Sequence, residues 1–133
     1  MPTAVRAWGR ARTRARLVQS WLMPKPKRTL TVDLHGYDVL GALDLAVTRV
    51  AEAYGNGYDS VELVHGAADV REPVESGRGR IKWELRRLVD SGRLQSYASD
   101  AWPRDGSILV TLRRNPKPRP EHWSDPPRRA HGR

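Results

Sequence analysis

The chain of 133 residues contains no cysteine, which excludes disulfide bonds and thiolate metal sites. A cysteine-free composition fits a reducing compartment, and we expect a cytoplasmic protein. No apolar stretch reaches the roughly 18 residues that a membrane helix needs, so we expect no membrane partner. There are no internal repeats, and the length allows one domain with a modest core.

Acidic residues are also absent from positions 1–28, which hold eight Lys or Arg. Residues 113–133 hold seven Lys or Arg and two acids, whereas residues 29–112 hold nine basic and 13 acidic side chains. The positive charge is therefore concentrated in the two flanks. Basic flanks attract polyanions, which predicts DNA or RNA, including that of the ribosome, as the partner. The alternative is that they are solubilising tails.

These flanks divide the chain into three parts. Residues 1–28 are predicted to be a basic helix, over 3–23, followed by a Pro-Lys linker, because apolar residues recur there at steps of three and four. Residues 29–113 are predicted to be the folded domain. Residues 114–133 contain five prolines and little to bury, which predicts a disordered tail.

The middle segment predicts an α/β fold, a two-layer βαβαββ sandwich with a mixed four-stranded sheet. Strands are expected over 29–34, 59–64, 94–99 and 107–113, with a turn-rich connection over 100–106. Asp38 is a candidate N-cap for the first helix, and the second is expected to begin at Ile81 and stop at Gly92. The residues expected to form the buried face of the first helix are Leu40, Leu43, Val47, Val50 and Tyr54.

Two histidines, each followed by glycine, end the first two predicted strands, as His35-Gly36 and His65-Gly66. A helix separates the strands, so they should run parallel and end at one edge of the sheet, where ligands bind in open α/β sheets. Asp33 lies two residues before His35 and shares its face, so it can orient the imidazole. Histidine is also the side chain best suited to proton transfer near neutral pH.

The run Arg78-Gly79-Arg80 leads into the second helix at the same edge. Backbone N–H groups at a helix N-terminus and two guanidinium groups would form a phosphate cradle. We therefore expect acid and base catalysis on a phosphodiester by Asp33, His35 and His65. The alternatives are structural histidines with ordinary turn glycines, and a base-stacking or simply packed Trp102.

A further alternative is a divalent cation, Mg²⁺ or Mn²⁺, held by Asp33, His35 and His65. No fourth ligand stands at a recognisable spacing, although Glu72 and Glu75 are candidates. We therefore assign no metal-binding residue and expect no small-molecule cofactor.

At these residues the chain resembles the Smr (small MutS-related) domain family. The resemblance covers about 29–113, and its motifs occur in the family's order. Val32-Asp33-Leu34-His35-Gly36 matches the family's Leu-Asp-Leu-His-Gly, and His65-Gly66 matches the start of its His-Gly-x-Gly, with Ala68 in place of the second glycine. The further matches are Gly79-Arg80-Ile81-Lys82, for Gly-x-Leu-Lys, and the closing strand from Gly106 to Leu112.

The resemblance implies a fold similar to the C-terminal domain of bacterial translation initiation factor 3. It also implies nucleic-acid binding and endonuclease activity that nicks DNA or cleaves RNA, including messenger RNA on ribosomes. Asp33, His35 and His65 would be catalytic. The residues that would bind nucleic acid are Gly36, Gly66, Arg78, Gly79, Arg80 and Lys82.

The leading hypothesis is therefore a stand-alone Smr-type endonuclease. The first alternative is a non-catalytic module that binds nucleic acid or the ribosome through its basic flanks. The second is an adaptor whose N-terminal helix docks on a partner through Trp8, Val18 and Leu22.

Overall fold

The computed structural model describes residues 27–67, 69–74 and 79–129. Within these ranges the elements are β1 (Thr29–Asp33), α1 (Val39–Gly55), β2 (Ser60–Val64), α2 (Arg80–Asp90), β3 (Ala98–Pro103) and β4 (Ser107–Leu112). The predicted α/β class, βαβαββ order and mixed four-stranded sheet are confirmed. The helix predicted over 3–23 lies outside the described residues. None of the described helices is long and apolar enough to cross a membrane.

The sheet has the strand order β1-β2-β4-β3, with β1 and β2 parallel and both other pairs antiparallel. Strands β2 and β4 occupy the centre, and the core is built around their apolar side chains. The fully buried large residues come from the sheet, from both helices and from the turn after β1: Leu34, Val50, Val61, Leu63, Leu85, Ile108 and Val110. The two helices also contact each other, which gives the two-layer arrangement.

Helix α1 begins as predicted, since the Asp38 side chain accepts a hydrogen bond of 2.7 Å from the Gly41 N–H. The prediction of its buried face was wrong in part, because Leu40 is 79% exposed. The residues that are buried are mostly small: Ala42, Leu45, Ala46, Val50 and Ala53. Alanines let the helix lie close to the sheet, so the larger apolar residues on either side are only partly covered.

The third strand also differs from its prediction. Strand β3 spans Ala98–Pro103, whereas residues 94–97 form turns in which the Tyr97 and Ala98 N–H groups donate to Leu94 O. Leu94 is buried in the core and so does not start a strand. Proline is tolerated in β3 because this is an edge strand, where a missing N–H leaves no partner unpaired.

The C-terminal prediction of disorder was wrong for residues 114–129. Residues 115–129, here called the C-terminal arm, carry no helix or strand but lie against the domain through hydrogen bonds, beginning with Asn115 Nδ2 to Tyr54 O at 2.8 Å. The arm is rich in prolines and charged residues, a composition typical of disordered segments. The side chains of Asn56 and Glu52 nevertheless satisfy backbone groups of residues 122 and 124, and composition does not reveal these contacts.

Candidate functional site

The carboxyl ends of β1 and β2 lie together at one edge of the sheet. The Leu34 N–H donates to Val64 O at 2.8 Å, which extends the parallel pairing past the end of β1. Beyond β2, the N–H groups of His65 and Gly66 both donate to Gly106 O at 3.0 Å. The prediction that both His-Gly pairs emerge at the same edge is therefore confirmed.

A cavity of about 680 Å³ opens at this edge. Its walls come from the two strand ends, the start of α1 and the start of α2. Seven of the predicted site residues line it: His35, Gly36, His65, Gly66, Gly79, Arg80 and Lys82. Asp33 does not line the cavity itself but contacts His35, which does. Arg78 lies outside the described residues.

Asp33 holds His35 through both carboxylate oxygens. Oδ2 lies 2.8 Å from His35 Nδ1, and Oδ1 accepts the His35 backbone N–H at 3.1 Å. The imidazole therefore carries a proton on Nδ1, and in its neutral form the lone pair is on Nε2. The His35 side chain is 70% exposed, so a substrate can reach it.

The ionisation of Asp33 suits this arrangement. Partial desolvation alone would raise the pKa of Asp33. The hydrogen bonds from the His35 side chain and backbone, with the nearby charges of His35 and Arg129, outweigh that effect and leave the pKa below its ordinary value. Asp33 is thus an anion at neutral pH and fixes the orientation of the imidazole.

His65 has a different environment, because its residue is only 8% exposed. Its Nδ1 accepts the Ala67 N–H at 3.1 Å, which places the proton of the neutral ring on Nε2. Nε2 is buried without a hydrogen-bond partner among the described residues. An unsatisfied buried donor costs about 1–3 kcal/mol, which a ligand oxygen could offset.

Burial lowers the pKa of His65 to about 4, and the positive charges of Lys82 and Arg86 act in the same direction. The ring is therefore neutral at pH 7. The two histidines thus differ, since His35 is exposed and held by a carboxylate, while His65 is buried beside cations.

Two glycines bring backbone close to the cavity. Gly79, with φ of 92°, precedes α2, and a Cβ there would lie 2.6 Å from Val70 Cγ1. Gly66, with φ of 74°, has nothing within 4 Å of the place a Cβ would occupy. Gly79 is thus required by packing as well as by its backbone conformation. At Gly66 only the conformation requires glycine, and the open space in front of it faces the cavity.

Lys82 and Arg80 lie on the first turn of α2 but have different surroundings. Lys82 is buried, and its Nζ donates to Ala67 O at 3.2 Å and to Val70 O at 2.5 Å. It therefore ties the loop after β2 to α2. Arg80 is exposed at the helix N-terminus, where its charge adds to that of the free backbone N–H groups.

Among the described residues, no group of three or more His, Cys, Asp or Glu side chains could hold a metal ion. Asp33, His35 and His65 therefore do not form the alternative ligand set considered from the sequence. Of the two candidate additional ligands, Glu72 is exposed and Glu75 lies outside the described residues.

Sequence reasoning missed two residues at this site. Leu40, on the first turn of α1, lines the cavity and is 79% exposed, although helical periodicity assigned it to the core. Arg129 lies beside His35, with its Nε donating to His35 O at 3.1 Å. No local pattern could have indicated it, because the contact joins residues 94 positions apart. Trp102, considered as a base-stacking residue, is 60% exposed but lies on β3 and does not line the cavity.

The fold and site together define a small α/β domain with an Asp-His pair and a helix N-terminus facing one cavity. Over 89 residues the chain is 28% identical to Endonuclease MutS2 of Aquifex aeolicus (strain VF5). The match covers 67% of this chain and 10% of that protein, so the chain spans about a tenth of its relative's length. No family model matches the chain, and no solved structure matches it.

Proposed function

We propose that this chain carries an Smr-type domain that binds DNA or RNA and cleaves a phosphodiester bond. The Asp33–His35 pair carries the proposal, because it presents an oriented and accessible imidazole at the ligand-binding edge of the sheet. The partial similarity to an endonuclease supports the same class of reaction. The basic flanks supply sequence-independent affinity for the substrate.

In the proposed reaction, Nε2 of His35 removes a proton from the nucleophile, which is either a ribose 2′-hydroxyl group or a water molecule. The new O–P bond forms as the bond to the leaving oxygen breaks, and that oxygen takes a proton from solvent. Asp33 stabilises the imidazolium that forms on His35. The N–H groups at the start of α2 and the Arg80 guanidinium stabilise the negative charge on the phosphoryl oxygens.

His65 acts in this proposal as a neutral hydrogen-bond donor to a phosphate oxygen. A general acid at this position would need a protonated ring. With a pKa of about 4, only about one molecule in a thousand carries that proton at pH 7. The buried Nε2–H, which has no partner among the described residues, suits the phosphate contact better.

The test is a cleavage assay with labelled single-stranded RNA and with supercoiled plasmid, each in EDTA, Mg²⁺ and Mn²⁺. His35→Ala removes the proposed base. His122→Ala is the matched control, because His122 is exposed and contacts Asn56 only through its backbone. We expect His35→Ala to lose cleavage by at least about 100-fold, and His122→Ala to cleave like the wild type.

A non-catalytic binding module is the second candidate, favoured by the eight Lys or Arg and no acid in residues 1–28. It predicts strongly salt-dependent binding without cleavage under any of these conditions, and a larger loss of binding on deletion of 1–28 than on His35→Ala. Cleavage by the wild type that depends on His35 would exclude it. Cleavage that survives His35→Ala would contradict the proposed site.

A further inference from the structure

The C-terminal arm is anchored at the C-terminal end of α1 by a buried asparagine. Asn56 is 3% exposed, and its Nδ2 donates to His122 O at 2.9 Å. Its Oδ1 accepts from Arg119 Nε at 3.1 Å and from the His122 N–H at 3.3 Å. Both polar atoms of the amide thus bond to the arm, and they would lose these partners if the arm detached.

The next part of the arm packs on an aromatic and charged cluster. The rings of Trp123 and Tyr58 meet edge to face at 5.4 Å, and Glu121 accepts hydrogen bonds from both. Glu121 also pairs with Arg28 at 2.9 Å, just before β1. The Ser124 N–H then donates to Glu52, in the last turn of α1, at 2.9 Å, so the arm runs back along the helix from its C-terminal end.

Arg129 lies near the end of this path, beside His35 at the carboxyl end of β1. Its Nε donates to His35 O at 3.1 Å, and its guanidinium carbon lies 4.8 Å from the centre of the Tyr37 ring. A Cβ on Gly36 would lie 3.2 Å from Arg129 Cδ, so the glycine makes room for the side chain. The arm therefore brings a cation to the catalytic motif from 94 residues away.

Building on the proposed function, we propose that Arg129 binds a backbone phosphate of the nucleic acid beside His35. Its Nε is held by a backbone carbonyl and its guanidinium carbon lies close to the Tyr37 ring, so the guanidinium is already positioned before a ligand arrives. The two terminal amino groups make no hydrogen bond with a described residue. They form a planar pair of donors, which matches two oxygens of one phosphate.

The placement of charge supports this assignment. Arg80 and the N-terminus of α2 lie on one side of the cavity, while Arg129 lies beside the turn that leads into α1. A nucleic-acid backbone crossing His35 would thus meet a cation on each side. Arg129 is a binding and positioning residue in this account, since the proton is transferred by His35.

Binding is measured by fluorescence anisotropy, using labelled single-stranded RNA and DNA of about 12 nucleotides in about 0.1 M salt. All variants carry His35→Ala, which prevents cleavage and keeps the backbone carbonyl that Arg129 contacts. We expect Arg129→Ala to weaken binding about tenfold and Arg129→Lys about threefold, because lysine retains charge but not the planar pair of donors. Arg128→Ala is the control of equal charge, with an expected change below about twofold.

A double-mutant comparison tests whether the packing of the arm positions Arg129 beside His35. Trp123→Ala removes the packing on Tyr58, so it should weaken binding when Arg129 is present and have little further effect beside Arg129→Ala. If the two substitutions reduce binding affinity additively, the arm does not position Arg129.

A separate readout uses inorganic phosphate as the probe and follows arginine Nε–H signals by NMR, with the Arg129 signal assigned by its loss in Arg129→Lys. We expect that signal to shift saturably while the Arg128 signal does not. If the oligonucleotides bind but Arg129→Ala equals Arg128→Ala, the inference is overturned and the proposed function stands. If phosphate shifts Arg129 but no oligonucleotide binds, the anion site stands and the proposed function fails. Failure of both readouts overturns both.

Discussion

Because of His65, this domain should unfold at a higher pH during acidification than protonation of its carboxylates alone would predict. An unfolded histidine takes up a proton as the pH falls through about 6.5, whereas folded His65 does so only at about 4. Between these values the unfolded state binds more protons, so the free energy of unfolding falls as the pH falls. The stabilisation is complete above the unfolded pKa and is lost through this window.

The magnitude follows from the two pKa values. For a shift from 6.5 to about 4, proton linkage predicts a loss of about 2.5 kcal/mol between pH 7.5 and pH 4.5. This is about three quarters of the full loss of about 3.4 kcal/mol, because the remainder is lost only as folded His65 itself takes up a proton around pH 4. For a domain of this size it is a large part of a total stability of about 5–15 kcal/mol.

The assay is urea unfolding of the wild type and of His65→Asn at several values between pH 4.5 and 7.5. Asparagine can accept the Ala67 N–H as Nδ1 does, but it does not titrate. The carboxylates and the remaining histidines titrate in both proteins, so the difference between the two pH profiles isolates His65. Parallel profiles would refute the assignment of a buried, neutral His65.

Three further predictions concern the same edge of the sheet. Asp33→Asn should slow cleavage about 10- to 100-fold, because it removes the charge that orients His35, while the urea midpoint changes little since the pair is exposed; a cleavage rate equal to the wild type would contradict this. Lys82→Met should raise the pKa of His65, followed by NMR titration, because the Lys82 charge lowers it; an unchanged pKa would contradict this. Gly79→Ala should lower the free energy of unfolding by about 2 kcal/mol, because its φ is 92° and the new Cβ would meet a valine methyl carbon at 2.6 Å; a urea midpoint equal to that of the wild type would contradict this.

The elements that position the site were predictable from the sequence because their signals are local. The β-branched run before His35, the Asp38 cap and the apolar spacing of Leu85 and Leu88 depend on neighbours a few residues away. The common edge of the two His-Gly pairs followed from the rule for parallel crossovers. The Asp33–His35 contact followed from alternation of side chains along a strand.

The features that were missed depend on distant contacts. The buried face of α1 is set by how closely its alanines approach the sheet, so periodicity alone placed exposed Leu40 in the core. The order of the arm depends on Asn56, which satisfies backbone groups of residue 122. The neutrality of His65 depends on burial against Lys82 and Arg86, which no strand pattern reveals.

The same contacts hold two arginines of the C-terminal flank in defined places. Arg119 and Arg129 are held against the domain by Asn56 and by His35 O. Under the proposed function, Arg129 therefore adds local recognition beside His35 to the long-range attraction of a polyanion by the flanks.

Chemical rescue of His35→Ala by free imidazole tests the central claim most directly. Single-turnover cleavage is followed on whichever substrate the wild type cleaves, with and without added imidazole, and with His122→Ala as the control. We predict a loss of at least about 100-fold that imidazole partly restores, because a small base can enter the space left at an exposed side chain. Cleavage by His35→Ala at the wild-type rate would contradict the claim that His35 is the base.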